Sequence, residues 1–446
     1  MMTVITRFAP SPTGLLHIGN VRTALINWLY TKKHNGKFML RLDDTDPERS
    51  KLEYALQIEH DLKWLGFSWD IFAKQSDRIT RYEEIKQQLI NAGRLYPCFE
   101  TPEELEIKRK MQLTRGKPPI YDRAALKLSP EEVAKMVAGG KKPHYRFKML
   151  DEAIIWNDMV RGEIKFEGSN LSDPILVRED QSFTYILCSV IDDIDYSITH
   201  IIRGEDHISN TAIQVQIFKA LNATIPEFGH LALIKAAEGE MSKRIGGFEV
   251  LSLQQKHIEA ISIATMLAKL GTSDPIQPRA TLEEIIDEFD ISKFNKAVAN
   301  YDQHELINFN HKTLGILEFK QVEAQLKALG LNNVTAEFWL AIRSNIVTID
   351  EASEWWQICF EEMKPIIENP ELLQHAIDNL PEEPWDNNTW KTLSKQLSAI
   401  TGLKGKDLFL PIRKALTAKD HGPELNLLLP LIGKERAIKR LNGKNG

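Results

Sequence analysis

Thr6-Arg7-Phe8-Ala9-Pro10-Ser11-Pro12-Thr13-Gly14-Leu15-Leu16-His17-Ile18-Gly19-Asn20 is the stretch whose reading decides the fold. Thr3 to Phe8 holds β-branched and aromatic residues in a short run suited to a buried strand. Pro10 and Pro12 forbid ladder pairing and helix alike, so the strand ends there. Gly14 is read as the turn residue. From about Leu16 the pattern is helical, with Val21, Ala24, Leu25, Trp28 and Leu29 on one face. A first strand turning through Pro and Gly into a helix is how nucleotide-binding α/β domains begin, and a helix N-terminus offers N–H groups and a positive dipole end to an anion. The glycine motif G-x-G-x-x-G is absent. His17 and Gly19 stand in its place, read as one turn into the helix.

Working outward, Lys37 to Leu42 predicts a second strand that ends in Asp43-Asp44-Thr45-Asp46. Pro47 then caps a helix with Leu52, Ala55, Leu56, Ile58 and Leu62 as its apolar positions, running to near Gly66. This alternation predicts a parallel sheet with ligands at the carboxyl ends of its strands. The acidic tetrad also suits a helix-capping turn through Asp46, whereas a calcium loop lacks its register. From about Arg81 to Tyr185 the rhythm breaks. Helical segments (82–93, 102–112, 130–138) lead into strand-like ones (144–149, 163–166, 175–178), and an insertion of this size in a nucleotide fold suits the gripping of a second substrate. The nucleotide fold resumes at Phe183-Thr184-Tyr185, and an apolar strand over 196–202 reaches Arg203, where Gly204 precedes Glu205-Asp206-His207 and a helix. Arg203 is open to two readings, a partner for Asp192, Asp193 or Asp195, or a ligand for an anion. Tyr185 likewise suits a core aromatic or a pocket wall. Residues 234–247 carry Lys243 and Arg244 between glycines, as a basic surface loop. Beyond Phe248 helices follow at 258–270, 282–289 and 306–309. From about Leu314 to Asn442 the chain reads as all helical, divided by Pro365, Pro370, Pro381, Pro384, Pro411 and Pro430.

Composition bounds these readings. At 446 residues the chain exceeds one core, and two to four domains are expected. Its apolar and charged fractions, 43% and 26%, are those of an ordinary soluble protein. Cys98, Cys188 and Cys359 are scattered with no C-x-x-C pair, so a disulfide framework and a zinc ribbon are both unsupported. No apolar run approaches a membrane span of ~20 residues, and a strand starting at residue 3 leaves no room for a leader, so a cytoplasmic protein is expected. The net charge of −6 argues mildly against a general nucleic-acid binder. Residues 331–390, however, carry twelve acids and two bases, while 391–446 carry twelve bases and four acids. A basic end on an acidic chain suits either one localised phosphate-backbone contact or a solvated helical surface.

His17-Ile18-Gly19-Asn20 behind A-P-S-P-T-G resembles the HIGH signature of class I aminoacyl-tRNA synthetases, in the glutamyl and glutaminyl form. The second signature of that family, KMSKS, is matched some two hundred residues later by Glu240-Met241-Ser242-Lys243-Arg244. Two motifs in order and spacing are far more specific than either alone. The resemblance continues through R-L-D-D-T-D, F-T-Y and I-I-R-G-E-D, and covers essentially the whole chain. A helical C-terminal region is similar to that of bacterial-type glutamyl-tRNA synthetases, since glutaminyl enzymes carry β-barrels there. Truncated relatives that modify a tRNA base lack this region.

The resemblance implies an α/β multidomain chain: a Rossmann-like catalytic domain (1–81 and 185–250, the second part with the KMSKS-like loop), an inserted α+β connective domain for the tRNA acceptor end (82–184), a stem-contact helical domain (251–312) and an all-α anticodon-binding region (313–446). It implies catalysis by His17, Lys243 and Arg244, and ATP contacts from Pro10, Thr13, Gly14, His17, Gly19, Asn20, Asp206, Ser242 and Lys243, with Mg2+ accompanying ATP. It implies a glutamate pocket of Arg7, Ser11, Asp43, Tyr185, Ser189 and Arg203. Here Asp43 stands where the family usually has Glu, and Ser189 where it usually has Asn. Some relatives hold zinc through cysteines near Cys98. This chain has Cys98 alone there, so no zinc is expected and Cys98 reads as a small buried residue. The implied activity is glutamate–tRNA ligation on tRNA-Glu, with tRNA-Gln as a second candidate acceptor, by a monomer. The rivals are a copy specific for tRNA-Gln, an RNA-independent nucleotidyltransferase, and a binding adaptor without catalysis.

Overall fold

The structure is a computed structural model that describes residues 3–116, 118–236 and 249–446. The chain divides into two compact units: Met1–Ser252, Ala264–Ile276 and Leu282–Tyr301 in the first, Leu253–Ile263, Gln277–Thr281 and Asp302–Gly446 in the second.

The first unit begins β1 (Ile5–Phe8), α1 (Ile18–Lys33), β2 (Lys37–Leu42), α2 (Leu52–Trp64) and β3 (Ile71–Lys74). β1, β2 and β3 pair in parallel in that order. Phe38, Met39, Leu40, Arg41 and Leu42 are all buried, so β2 has the continuous interior of a strand covered on both faces. Arg41 is the exception in type, and its partners lie in the site described below. α1 starts two residues later than expected, and His17 is its N-cap, outside the helical turn. α2 starts at Leu52 instead of at Pro47. Asp46 instead closes a turn, its Oδ1 accepting from Arg49 N–H, and Leu52 and Leu56 are exposed while Ala55, Ile58 and Leu62 are buried.

The insertion contributes α3 (Ile79–Asn91), β4 (Leu95–Cys98), α4 (Pro102–Thr114), α5 (Pro130–Ala138), β5 (His144–Phe147), β6 (Ala153–Asp158), β7 (Gly162–Glu167) and β8 (Ile175–Val177). Of these, β4, β5 and β8 form an antiparallel sheet of their own. The chain then runs α6 (Tyr185–Asp195), β9 (His200–Gly204), α7 (Ile208–Ala220), β10 (Glu227–Leu231) and β11 (Ile234–Ala236). Tyr185 thus opens a helix, and the strand expected over 196–202 is displaced to 200–204.

β9 and β10 pair in parallel. On the far side of β10 lies the hairpin β6–β7, so two strands of the insertion extend the nucleotide sheet. Thr199 joins the halves: its N–H donates to Ile5 O at 2.9 Å, and Ile5 N–H donates to its Oγ1 at 2.8 Å. The spatial order β3-β2-β1-β9-β10 reverses between β1 and β9, and ligands of such sheets bind at that crevice. β11 pairs in parallel with β12 (Ala299–Tyr301), a short strand where none was expected.

The second unit is helical and has its own core, from Leu314 through Trp339, Ile342, Leu397 and Ile412 to Leu441. Arg440 is buried without an acid and donates instead to the carbonyls of Ile358, Leu416 and Glu361 at 2.7–3.0 Å. Pro370 takes the N1 position of the helix Pro370–Asp378. Pro411 and Pro430, expected as breaks, lie inside the helices Lys406–Thr417 and Leu425–Ile432.

Candidate active site

A cavity of about 750 Å³ opens at the crevice between β1 and β9. Arg7, Pro10, Ser11, Thr13, Gly14, His17, Gly19, Asn20, Asp43, Tyr185, Ser189, Arg203 and Asp206 all line it. Every expected site residue among the described ones is therefore brought to one space. Ser242, Lys243 and Arg244 lie outside the described residues.

The ring of His17 folds over the start of α1. Its Nδ1 accepts from Gly19 N–H at 3.1 Å and from Asn20 N–H at 3.4 Å, and Asn20 Oδ1 accepts from His17 N–H at 3.5 Å. The N–H groups expected to be free for an anion are thus partly used by this cap. Because Nδ1 is the acceptor, the neutral ring carries its proton on Nε2. Burial pushes the His17 pKa below its ordinary value, which favours that neutral form. The helix end thus orients a ring whose Nε2–H is the donor left over from the cap. Gly19 permits this: a Cβ there would lie 3.0 Å from His17 Cε1. At Gly14, read from the sequence as the turn residue, a Cβ would meet nothing within 4 Å.

Beneath the cavity lies a buried charge network. Arg7 donates to Asp193 at 3.2 Å. Arg41 donates to Asp43 at 2.7 Å, to Asp193 at 2.9 Å and to Ser189 Oγ at 3.3 Å. Asp192 accepts from Gln75, Arg78 and Tyr82, and Asp195 from Arg78 and Arg81. Burial pushes the Asp43 carboxyl up to about 6, because Arg41 divides its donors among several oxygens and only partly opposes the loss of water. Arg41 is the residue that motif reading passed over. Its signal was a lone cation inside an otherwise apolar strand.

Arg203 stands apart from this network. Asp192, Asp193 and Asp195 are held by other arginines, and Arg203 Nη2 donates to Thr211 Oγ1 and Gln214 Oε1, each at 2.6 Å. Its Nε has no hydrogen-bond partner in the structure. Burial, with Arg7 adding repulsion, pulls its pKa down to about 10, so it is still charged at neutral pH. A buried guanidinium with a spare donor and no hydrogen-bonded acid can accept a carboxylate as partner. Tyr185 is not a core aromatic: it is 37% exposed, its hydroxyl meets His207 Nδ1 at 3.2 Å, and Asn210 donates to it. His207 also lines the cavity, a residue that the sequence reading quoted without assigning a role.

Cys98 is fully buried, in a small cluster with Tyr96, Tyr121 and Ala125. Glu100 and His144 bring their ligand atoms within 4.8 Å of its sulfur and of each other, a grouping the sequence reading missed because His144 comes from another strand. Burial pushes the thiol up to about 12, and Tyr121 OH donates to Glu100 at 2.7 Å.

The model of the class I tRNA synthetases (E and Q), catalytic domain, matches residues 3–308, and that of an anticodon binding domain matches 327–444. The chain belongs to the class I tRNA synthetases of the E and Q family. It is 51% identical over 444 residues, 99% of this chain and all of the relative, to glutamate–tRNA ligase 1 of Rickettsia bellii (strain OSU 85-389). It is 50% identical over 446 residues to glutamate–tRNA ligase 2 of Rickettsia canadensis (strain McKiel), covering 99% of this chain and 100% of the relative. A crystal structure of a glutamate tRNA ligase from Elizabethkingia meningosepticum in complex with its amino acid superposes with a TM-score of 0.83 at 29% identity, covering 99% of each chain. The synthetase therefore pairs the crevice described above with a helical anticodon-binding domain.

Proposed function

We propose that this synthetase is a glutamate–tRNA ligase. It activates L-glutamate with ATP and transfers it to the 3′-terminal ribose of tRNA-Glu, with tRNA-Gln as the other candidate acceptor. The observation that carries the amino-acid choice is Arg203, a buried cation with a spare donor and no acidic partner in the crevice. An acidic side chain satisfies it, and glutamine leaves it uncompensated. Whole-chain identity with two glutamate–tRNA ligases supports the same choice.

In this reading Arg203, seconded by Arg7, holds the substrate side-chain carboxylate. Asp43 meets the ammonium, with Ser11, Ser189 and Tyr185 around it. ATP lies along Pro10–Asn20 and Asp206, with magnesium on its triphosphate as part of the substrate. The α-carboxylate attacks the α-phosphorus in line and pyrophosphate leaves. The protein aligns the reactants and stabilises charge on the phosphates, with His17 Nε2–H on one side and Lys243, seconded by Ser242 and Arg244, on the other. A tRNA ribose hydroxyl then attacks the adenylate carbonyl. Lys243→Ala is expected to slow activation ~10²–10³-fold without lowering the melting temperature.

The 327–444 match to an anticodon binding domain supports an RNA substrate over the RNA-independent nucleotidyltransferase. No zinc is proposed near Cys98, because Cys98, Glu100 and His144 offer three ligands with a single thiol, short of the four of a closed structural site. Stoichiometric zinc in the purified protein would overturn that. A cytoplasmic monomer is proposed from the family resemblance; separately, no helix among the described residues is long and apolar enough to cross a membrane.

The deciding experiment charges separate tRNA-Glu and tRNA-Gln transcripts with labelled glutamate, beside pyrophosphate exchange. Charging of tRNA-Glu supports the proposal, and charging of both adds tRNA-Gln. Charging of tRNA-Gln alone makes this a specialised copy. Exchange without charging, or no activity, overturns the reading.

A further inference from the structure

Arg203 is held from behind by a chain of buried side chains that reaches into the insertion. Its Nη2 donates to Thr211 Oγ1 at 2.6 Å. Thr211 Oγ1 lies 2.9 Å from His230 Nε2, and His230 Nδ1 lies 2.5 Å from Asp158 Oδ2. Asp158 is itself fixed, its Oδ1 accepting from the N–H groups of Val160, Arg161 and His230 at 3.0–3.1 Å. Thr211, His230 and Asp158 are all at least 97% buried. The four residues come from β9, α7, β10 and β6, so the last link belongs to the inserted hairpin.

The direction of each hydrogen bond follows from the ends. The guanidinium can only donate, and a carboxylate can only accept. Burial pushes His230 below its ordinary pKa, with Arg203 repelling the charged form and Asp158 opposing both. Burial pushes Asp158 up, but its bonds from His230 win and hold it below the usual carboxylate range. A neutral His230 that donates from Nδ1 to Asp158 accepts at Nε2, and Thr211 Oγ1 lies 2.9 Å from that nitrogen against 3.2 Å from its other acceptor, His207 O, so the shorter contact takes its one proton. Its oxygen lone pairs are then left facing Arg203. The donors thus run from Arg203 to Asp158, with Arg203 Nη2 also donating to Gln214 Oε1 at 2.6 Å. A fork-shaped guanidinium recognises a carboxylate only in a fixed plane, and a supporting partner sets that plane as outer groups orient ligands elsewhere.

We propose that Thr211, His230 and Asp158 are positioning residues that set the orientation of Arg203 and thereby the affinity and selectivity of the site for an acidic side chain. This rests on the reading that Arg203 binds the substrate carboxylate.

The test measures pyrophosphate exchange by the full-length protein with tRNA-Glu present, varying L-glutamate and then ATP. Thr211→Val keeps the shape of the side chain and removes the hydroxyl. It is expected to raise the KM for glutamate roughly ten- to a hundredfold, the cost of a lost supporting partner, with kcat and the KM for ATP within about twofold. Thr211→Ser restores the hydroxyl and the glutamate KM. Asp158→Asn, which replaces one of the two accepting oxygens with a donor, moves the glutamate KM in the same direction. A purely structural role would instead lower the melting temperature and kcat without separating the two KM values. An unchanged glutamate KM in Thr211→Val, or in Asp158→Asn should the valine variant not fold, overturns the proposal. Arg203→Lys separates the two layers. If it raises the glutamate KM while Thr211→Val does not, the relay alone fails. If neither does, the reading of Arg203 fails as well.

Discussion

At the scale of single residues, the site divides into what motif position announces and what only three dimensions bring together. His17, Arg7, Asp43, Tyr185 and Arg203 were legible through the family resemblance of the motifs that carry them, while local pattern alone left Tyr185 and Arg203 open. Thr211, His230 and Asp158 were not. The hydrogen bond of His230 with Asp158 spans 72 residues, and neither residue type nor local periodicity carries such a pairing. Asp43 yields a titration. With its carboxyl pushed up to about 6, it is ionised above that pH and neutral below. If it meets the substrate ammonium, only the ionised form binds well. The KM for glutamate should then be flat at pH 7–8 and rise as the pH falls through about 6, by about tenfold per unit well below it. Asp43→Asn should give a high KM independent of pH over that range. A glutamate KM that is the same at pH 5.5 and pH 7.5 would remove Asp43 from the ammonium site.

At the scale of elements, helices were read well where a capping box and a Pro mark the start, as for α4 and α5. β6 was missed although its burial alternates strictly in and out. β3, four residues long, offered no period to read. Pro411 and Pro430 misled because a helix-interior proline costs ~3 kcal/mol. Leu408, Ile412, Ala415 and Leu416 beside the first, and Leu428 and Leu429 beside the second, are buried, and burial at roughly 1.5–3 kcal/mol per large side chain outweighs that cost. The start of α1 can be tested as a unit. In Gly19→Ala the new methyl, 3.0 Å from His17 Cε1, displaces the ring. Loss of the cap costs about 1 kcal/mol, and alanine returns up to about 1 kcal/mol of helix propensity. The melting temperature should therefore move by no more than about 2 °C, while pyrophosphate exchange falls at least about tenfold because Nε2–H no longer aims at the phosphates. Full activity in this variant would show that the ring position is not used.

At the scale of the whole chain, the sequence separates an acidic stretch from a basic end, and the structure shows how much of that basic charge is free. Lys414, Lys419, Lys434 and Lys439 pair with Glu368, Glu354, Glu382 and Glu435, and Arg440 is buried. Part of the count is therefore spent on internal pairs, which the sequence could not reveal because Glu354, Glu368 and Glu382 come from the acidic stretch. Lys391, Lys395, Lys404 and Lys406 are exposed, on the helix Thr389–Thr401, in the turn after it and at the start of the next helix. With Lys364 and Lys444, they are exposed lysines within the segment matched by the anticodon binding domain. If they hold RNA phosphates, removing one lysine–phosphate pair should shallow the slope of log Kd against log salt by about 1. Lys404→Ala with Lys406→Ala should then weaken tRNA-Glu binding most at low salt and reduce the slope by about 2. The KM for glutamate should not move, since these side chains lie in the second unit and the amino-acid cavity in the first. The matched reversal of Lys414 and Glu368, an internal pair, serves as the control and should leave the slope as it was. An unaltered slope in the Lys404 and Lys406 variant would assign the basic end to a solvated surface instead.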